Sequence, residues 1–283
     1  MLQRSVDLKL APTITHALFG ASNGQCAIND QIWNECKNLG YSTMRFSLQE
    51  DFIKKILITN PHINTVLLSY NPYIYYKFTD EQFHNYTSPL FAKHSAHIAY
   101  TSYYDIVAKY TAKQILLYFS GNWIIANPSF DVMRGYDRLR CHNLHHGQWS
   151  IENYDANFPT QIDVSYEEAK KTCNIELQSI RDIITFCHDH NINVVILWTP
   201  MYHLDRWISS SGFDDFLSTL DKRIRIADYS DFTMPDDDYY ADVQHLNDKG
   251  SDYFSTYIKT HGLKTESLEE YLKRKGKTLS NAE

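Results

Sequence analysis

The 283-residue chain lacks the features that mark several large protein classes. It contains no run of 18 apolar residues, so no segment reads as a membrane-spanning helix. No arginine-rich block offsets a net charge of −7, which removes the electrostatic footprint of a nucleic-acid binder. Cysteine is sparse and odd in number: Cys26, Cys36, Cys141, Cys173 and Cys187 show no C-x-x-C spacing. That argues against a disulfide framework or a closed zinc site and leaves reduced core thiols. No Gly/Ser/Pro-rich linker and no internal repeat divides the chain, so a single domain over 1–283 is expected. The N-terminal stretch MLQRSVDLKLAPTITH has no apolar signal-peptide core. The expectation is a cytoplasmic protein as written, or an extracytoplasmic one if an N-terminal anchor has been removed.

What is present is an ordinary globular balance, 43% hydrophobic and 22% charged, with an unusual 21 tyrosines. Tyrosines mostly edge a core, though with the other aromatics they can line a sugar-binding surface. The pattern alternates strand and helix. Residues 13–19 read as a strand, and 38–43 as a short strand ending in a loop. Residues 47–59 carry Phe52, Ile53, Ile56 and Leu57 at helical spacing. Thr65–Leu68 reads as a second strand, closed by Asn71-Pro72. Residues 73–160, rich in Tyr, His and Asn, break the rhythm and read as a helical and loop insertion. It then resumes with a helix over 165–190, a strand over 193–198, a helix over 211–220, a last strand over 223–228 and a helix over 248–260. The charged segment 264–283 reads as a solvated C-terminal tail, a terminal helix that frays. Strand, helix, strand in this order predicts an α/β fold: a three-layer α/β/α domain with a mostly parallel sheet of about five strands.

The stretch THALFGASNGQ, residues 15–25, carries the clearest chemistry. An apolar strand breaks at Gly20-Ala21-Ser22-Asn23-Gly24, a turn that can lift the Ser22 hydroxyl above a sheet edge. The literal G-x-S-x-G matches the nucleophile elbow of α/β-hydrolases. There the elbow follows earlier strands that supply an oxyanion donor; Ser22 follows the first strand, so that fold fails on chain order. A serine nucleophile needs a base and a group that fixes the base's tautomer. Asp242 and His245 supply such a pair. In a chain with 13 histidines a D-x-x-H is unremarkable, and its weight comes from position. It lies after the last predicted strand and before the last long helix, where open α/β sheets hold their sites.

Taken together these blocks resemble the SGNH (GDSL-type) hydrolases. Ser22 in GASNG matches the first block, Asn71 in SYNP the asparagine block, and Asp242 and His245 in DVQHLNDKG the last. NLGYST resembles the second block, with Thr43 where the family has glycine. Ala21 stands before the serine and Pro72 after the asparagine where many members have Asp. The resemblance implies Ser22 as nucleophile, His245 as base and Asp242 as its orienting acid. It also implies oxyanion donors from the Ser22 N–H, the N–H of Thr43 or Gly40, and the Asn71 amide. The expected activity is ester hydrolysis or acyl transfer on an O-acylated, especially acetylated, carbohydrate, as in bacterial proteins that modify surface polysaccharides. The alternative is a catalytically silent relative binding polysaccharide or a protein. No cofactor and no resident metal is implied.

Other candidates were weighed against plainer readings. Cys141 to His146, with Asp137, offers metal-ligating atoms but no closed zinc pattern. His188-Asp189-His190 marks a helix end, and Asp236 to Asp238 a solvated loop. His16 and His62 read as ordinary polar residues; His203, beyond Thr199-Pro200, has a modest claim to a pocket.

Overall fold

The protein, seen as a computed structural model, is described over residues 8–41, 45–72, 80, 163–203 and 209–279. The insertion expected at 73–160 lies outside the described residues apart from Asp80, as does Thr43. The strands are β1 (His16–Gly20), β2 (Cys36–Asn38), β3 (Thr65–Ser69), β4 (Asn193–Trp198), β5 (Arg225–Asp228), β6 (Tyr240–Asp242), β7 (His245–Leu246) and β8 (Glu266–Ser267). The helices are α1 (Ser22–Ala27), α2 (Phe46–Thr59), α3 (Tyr166–Asp189), α4 (Ser211–Leu217), α5 (Asp248–His261) and α6 (Leu268–Arg274).

The central sheet has six strands in the order β2-β1-β3-β4-β5-β8. Neighbours from β2 to β5 pair in parallel, and β8 closes the edge antiparallel to β5. The centres of β1, β3 and β4 are continuously apolar because both faces are covered. Alternation along each strand then sorts side chains to two layers. Ala17, Phe19, Val66, Leu68, Val194 and Ile196 join a core shared with α2, α3, α4 and α6. Leu18, Leu67, Val195 and Leu197 join Phe254 and Ile258 of α5 on the other face. This is a three-layer α/β/α arrangement. No helix among the described residues is long and apolar enough to cross a membrane.

The helices follow their sequence signals. Phe52, Ile53, Ile56 and Leu57 of α2 are buried, as are Cys173, Leu177, Ile180, Ile184 and Cys187 of α3. Burial pushes the Cys187 thiol up to about 12, and the Cys36 thiol is also raised, chiefly by burial; both stay protonated. The start of α2 has no local side-chain cap. The wholly buried Glu176 of α3 instead accepts the Phe46 and Ser47 N–H groups at 3.0 and 2.8 Å. At the far end of α3 the His190 ring sits 2.8 Å from the Phe186 carbonyl, and His188 lies 3.3 Å from Asp221.

The C-terminal segment departs from its sequence reading. Its charge pattern reads as a solvated, fraying helix; a helix does form over 268–274, but it is docked on the core, and 266–267 add an edge strand before it. Ser267 and Glu270 form a capping box, and Leu268, Tyr271 and Leu272 share one buried face. The Tyr271 hydroxyl donates to Asp214 at 2.6 Å, and Arg274 bridges Asp228 and Glu266. The charges sit on the outer face, so net charge hid the buried face of a short amphipathic helix. β5 is likewise not the last strand, because β6 and β7 form a separate two-stranded hairpin.

The glycines of GASNG answer to one neighbour, Ser69 at the end of β3. Gly20 has φ +139°, and a Cβ there would lie 2.6 Å from the Ser69 carbonyl oxygen. A Cβ on Gly24 would meet Ser69 Cβ at 2.5 Å. Gly24→Ala is therefore expected to destabilise the fold by about 1–3 kcal/mol. Urea titration checks this, with Ser69→Gly in the same chain restoring part of the loss because it removes the clashing Cβ.

Candidate active site

β1 and β3 are adjacent and in register at Gly20 and Ser69. Ser22 and Asn71 each lie two residues beyond that pair, at the carboxyl edge of the sheet. From β1 the chain leads to β2 on one side, while β3, β4 and β5 lie on the other. That reversal opens the crevice in which open α/β sheets bind ligands.

Ser22 opens α1 and is partly exposed, whereas Asn23, Gly24 and Gln25 behind it are buried. The first hydrogen bond of the turn is Gln25 N–H to the Ala21 carbonyl, so the Ser22 amide precedes the bonded ladder. Opposite it stands the β6–β7 hairpin. Asp242 and His245 are directly paired across a turn of two residues, Val243 and Gln244. The D-x-x-H spacing is thus the geometry of a tight hairpin, which sets the two side chains against each other. Asp242 Oδ1 accepts the Gln244 and His245 N–H groups at 2.7 and 3.0 Å, clamping its own turn. His245 Nδ1 lies 2.8 and 2.9 Å from the two carboxylate oxygens, and Nε2 lies 2.8 Å from Ser22 Oγ. Ser22, His245 and Asp242 form one continuous relay across 223 residues of chain.

A carboxylate only accepts, so the proton between Asp242 and His245 belongs to Nδ1, which leaves the Nε2 lone pair facing the Ser22 hydroxyl. Asp242 is 2% exposed and His245 7%, so solvent competes little for these bonds. The site can therefore take a proton from Ser22 and return it to another oxygen.

The other expected residues are placed as follows. Asn71 is fully buried, and its Nδ2 donates to Met201 Sδ at 3.3 Å, a weak acceptor. The Gly40 N–H donates to Asn38 Oδ1 at 2.9 Å and is already engaged. Thr43 lies outside the described residues.

Three residues that the motif reading passed over hold the relay in register. Asn23 Nδ2 donates to the Gln244 carbonyl at 2.8 Å, tying the neighbour of Ser22 to the neighbour of His245. Asn38 Nδ2 donates to the carbonyls of Gly24, Gln25 and Ile28, closing the carboxyl end of α1. Met201 receives the amides of both Asn23 and Asn71. A further strap joins α1 to α5 through Ser251 and the Cys26 carbonyl. The available signal was an asparagine inside an otherwise apolar or small-residue turn, since such a group is buried only when its hydrogen bonds are met.

Among the described residues no three His, Cys, Asp or Glu side chains gather as metal ligands. Asp137 and Cys141 to His146 lie outside the described residues. The three aspartates 236–238 are exposed, with Asp238 paired to Lys249 at 2.6 Å. His203 lines a cavity beyond β4, while His16 lies at the far end of β1. Comparison with protein-family models, with curated proteins and with solved structures finds no match to this chain.

Proposed function

We propose that the protein is a serine esterase or acyltransferase of the SGNH type, acting on an O-acylated, especially acetylated, carbohydrate. The relay from Ser22 through His245 to Asp242 carries this reading. The substrate class rests on the resemblance of the sequence blocks.

In the proposed reaction His245 Nε2 takes the Ser22 proton as Oγ attacks the ester carbonyl. The new Oγ–C bond gives a tetrahedral oxyanion, and Asp242 stabilises the imidazolium by accepting from Nδ1. The Ser22 N–H and the Asn71 amide would receive the oxyanion. Asn71 can exchange its thioether acceptor for an anionic oxygen at little cost, because charge-assisted hydrogen bonds are the stronger ones. Each such donor is worth on the order of 10²–10³ in rate. Collapse breaks the ester C–O bond, His245 protonates the departing alcohol, and the acyl group stays on Ser22. Water or a sugar hydroxyl, deprotonated by the same imidazole, then takes the acyl group and frees the serine.

Exposure of the purified protein to a fluorophosphonate probe tests the reading. Stoichiometric labelling, mapped to the peptide containing Ser22, is the expected result. A protein that stays unlabelled and releases no acetate from acetylated polysaccharide would belong instead to the silent, binding class.

A further inference from the structure

Beyond Met201 a cavity of about 240 Å³ opens beside the Ser22 relay. Its position follows from two shared residues. Met201 forms part of its wall and also receives the Asn23 and Asn71 amides. Tyr240, another wall residue, stands on the strand that ends in Asp242. A group attached to an ester held at Ser22 would have this space next to it.

The lining described combines aromatic rings with carboxylates. Tyr202, Phe232 and Tyr240 present aromatic rings, and Tyr202 and Tyr240 meet edge to face at 5.4 Å. Aromatic faces attract cations. Asp231 and Asp237 place two carboxylates on the same wall beside the His203 imidazole, and among the described residues no lysine or arginine lines it. Among the described residues the Asp237 carboxylate accepts one 3.3 Å bond, from the Tyr202 hydroxyl, and Asp231 has no hydrogen bond or ion pair. Lys249, in the first turn of the neighbouring helix α5, is held by Asp238 and lies over the Tyr239 ring. Burial, with Asp237 and Tyr202 adding to it, pushes the Tyr240 phenol up to about 12, so it stays neutral.

A neutral sugar would need hydrogen-bond acceptors here but would leave two carboxylates uncompensated on one wall. An anionic group would be repelled by both. A positively charged amine satisfies carboxylates and rings together.

We infer that this cavity is a subsite for an ammonium group, so that the ester handled at Ser22 carries a cationic amine on its acyl or alcohol part. The inference rests on the ester-transfer reading for its link to catalysis, while the binding itself does not. Choline and 3,3-dimethylbutan-1-ol have the same shape and differ by one positive charge. Titration calorimetry on the full wild-type chain at pH 8 should show choline binding at least about tenfold more tightly. Raising the salt concentration should narrow the gap. An Asp231→Asn, Asp237→Asn double variant, with both positions exposed and the melting temperature checked, should lose the preference. Equal binding of the two alcohols, binding of neither, or a preference that survives in the double variant overturns the inference. Neither alcohol is an ester, so a choline preference without fluorophosphonate labelling would sink only the catalytic reading. Labelling without a preference would sink only the subsite.

Discussion

Ser22→Ala is expected to abolish fluorophosphonate labelling and to lower ester turnover by about 10⁴-fold or more. The hydroxyl is the only atom removed, and it is the atom that would bond to the substrate carbonyl. His245→Ala should cost about as much, because an unassisted serine hydroxyl is a poor nucleophile at neutral pH. The double variant should be no slower than either single one, since the two groups act as a unit. Stability separates this from general damage. Ser22 is partly exposed and, among the described residues, its hydroxyl bonds to the His245 ring alone, so the melting temperature of Ser22→Ala should stay near that of wild type. Single-turnover assays with a chromogenic acetate ester, run beside thermal unfolding, check both expectations. Full activity in Ser22→Ala would end the nucleophile assignment.

The second large effect falls on Asp242. Asp242→Asn keeps the shape of the side chain, and its carbonyl oxygen can still accept the Gln244 and His245 N–H groups. Its amide, however, donates where the carboxylate accepted. His245 Nδ1 then becomes the acceptor, the ring proton moves to Nε2, and that nitrogen faces Ser22 as a donor. The base is lost although every heavy atom stays in place, and a fall of about 10⁴ in kcat is expected. Asp242→Ala should be as slow and also less stable by about 1–3 kcal/mol, because two buried hairpin amides lose their acceptor. Nitrogen chemical shifts of the His245 ring would report the tautomer switch in Asp242→Asn, which a merely structural role for Asp242 would not produce. Unchanged ring shifts with unchanged turnover would remove the carboxylate from the mechanism.

Much of the architecture was legible from periodicity alone. The runs at 65–68 and 193–198 are apolar without alternation, because strands covered on both faces cannot afford polar positions. The four-three spacing from Cys173 to Cys187 likewise left one possible buried face. The docking of the terminal helix in 264–283 was not legible, because three apolar positions in seven residues are too few to outweigh its charges in a sequence window. Its burial depends on Asp214 and Asp228, which are distant in the chain.

The serine turn shows the same division. Sequence alone determined that Ser22 follows a buried first strand, that Asn71 follows the next long one, and that Asp242 and His245 sit three residues apart before a capped helix. Those are local facts, set by side-chain pattern and turn chemistry. Tertiary structure decided that His245 Nε2 lies within 2.8 Å of Ser22 Oγ, that Gly40 spends its amide on Asn38, and that Asn23 fastens one side of the site to the other. It also decided the lining of the neighbouring cavity, where Tyr202, Asp231 and Tyr240 converge from three separate segments. Contacts of this kind depend on where parallel strands end relative to one another. That is a property of the packed sheet, and no window of sequence contains it.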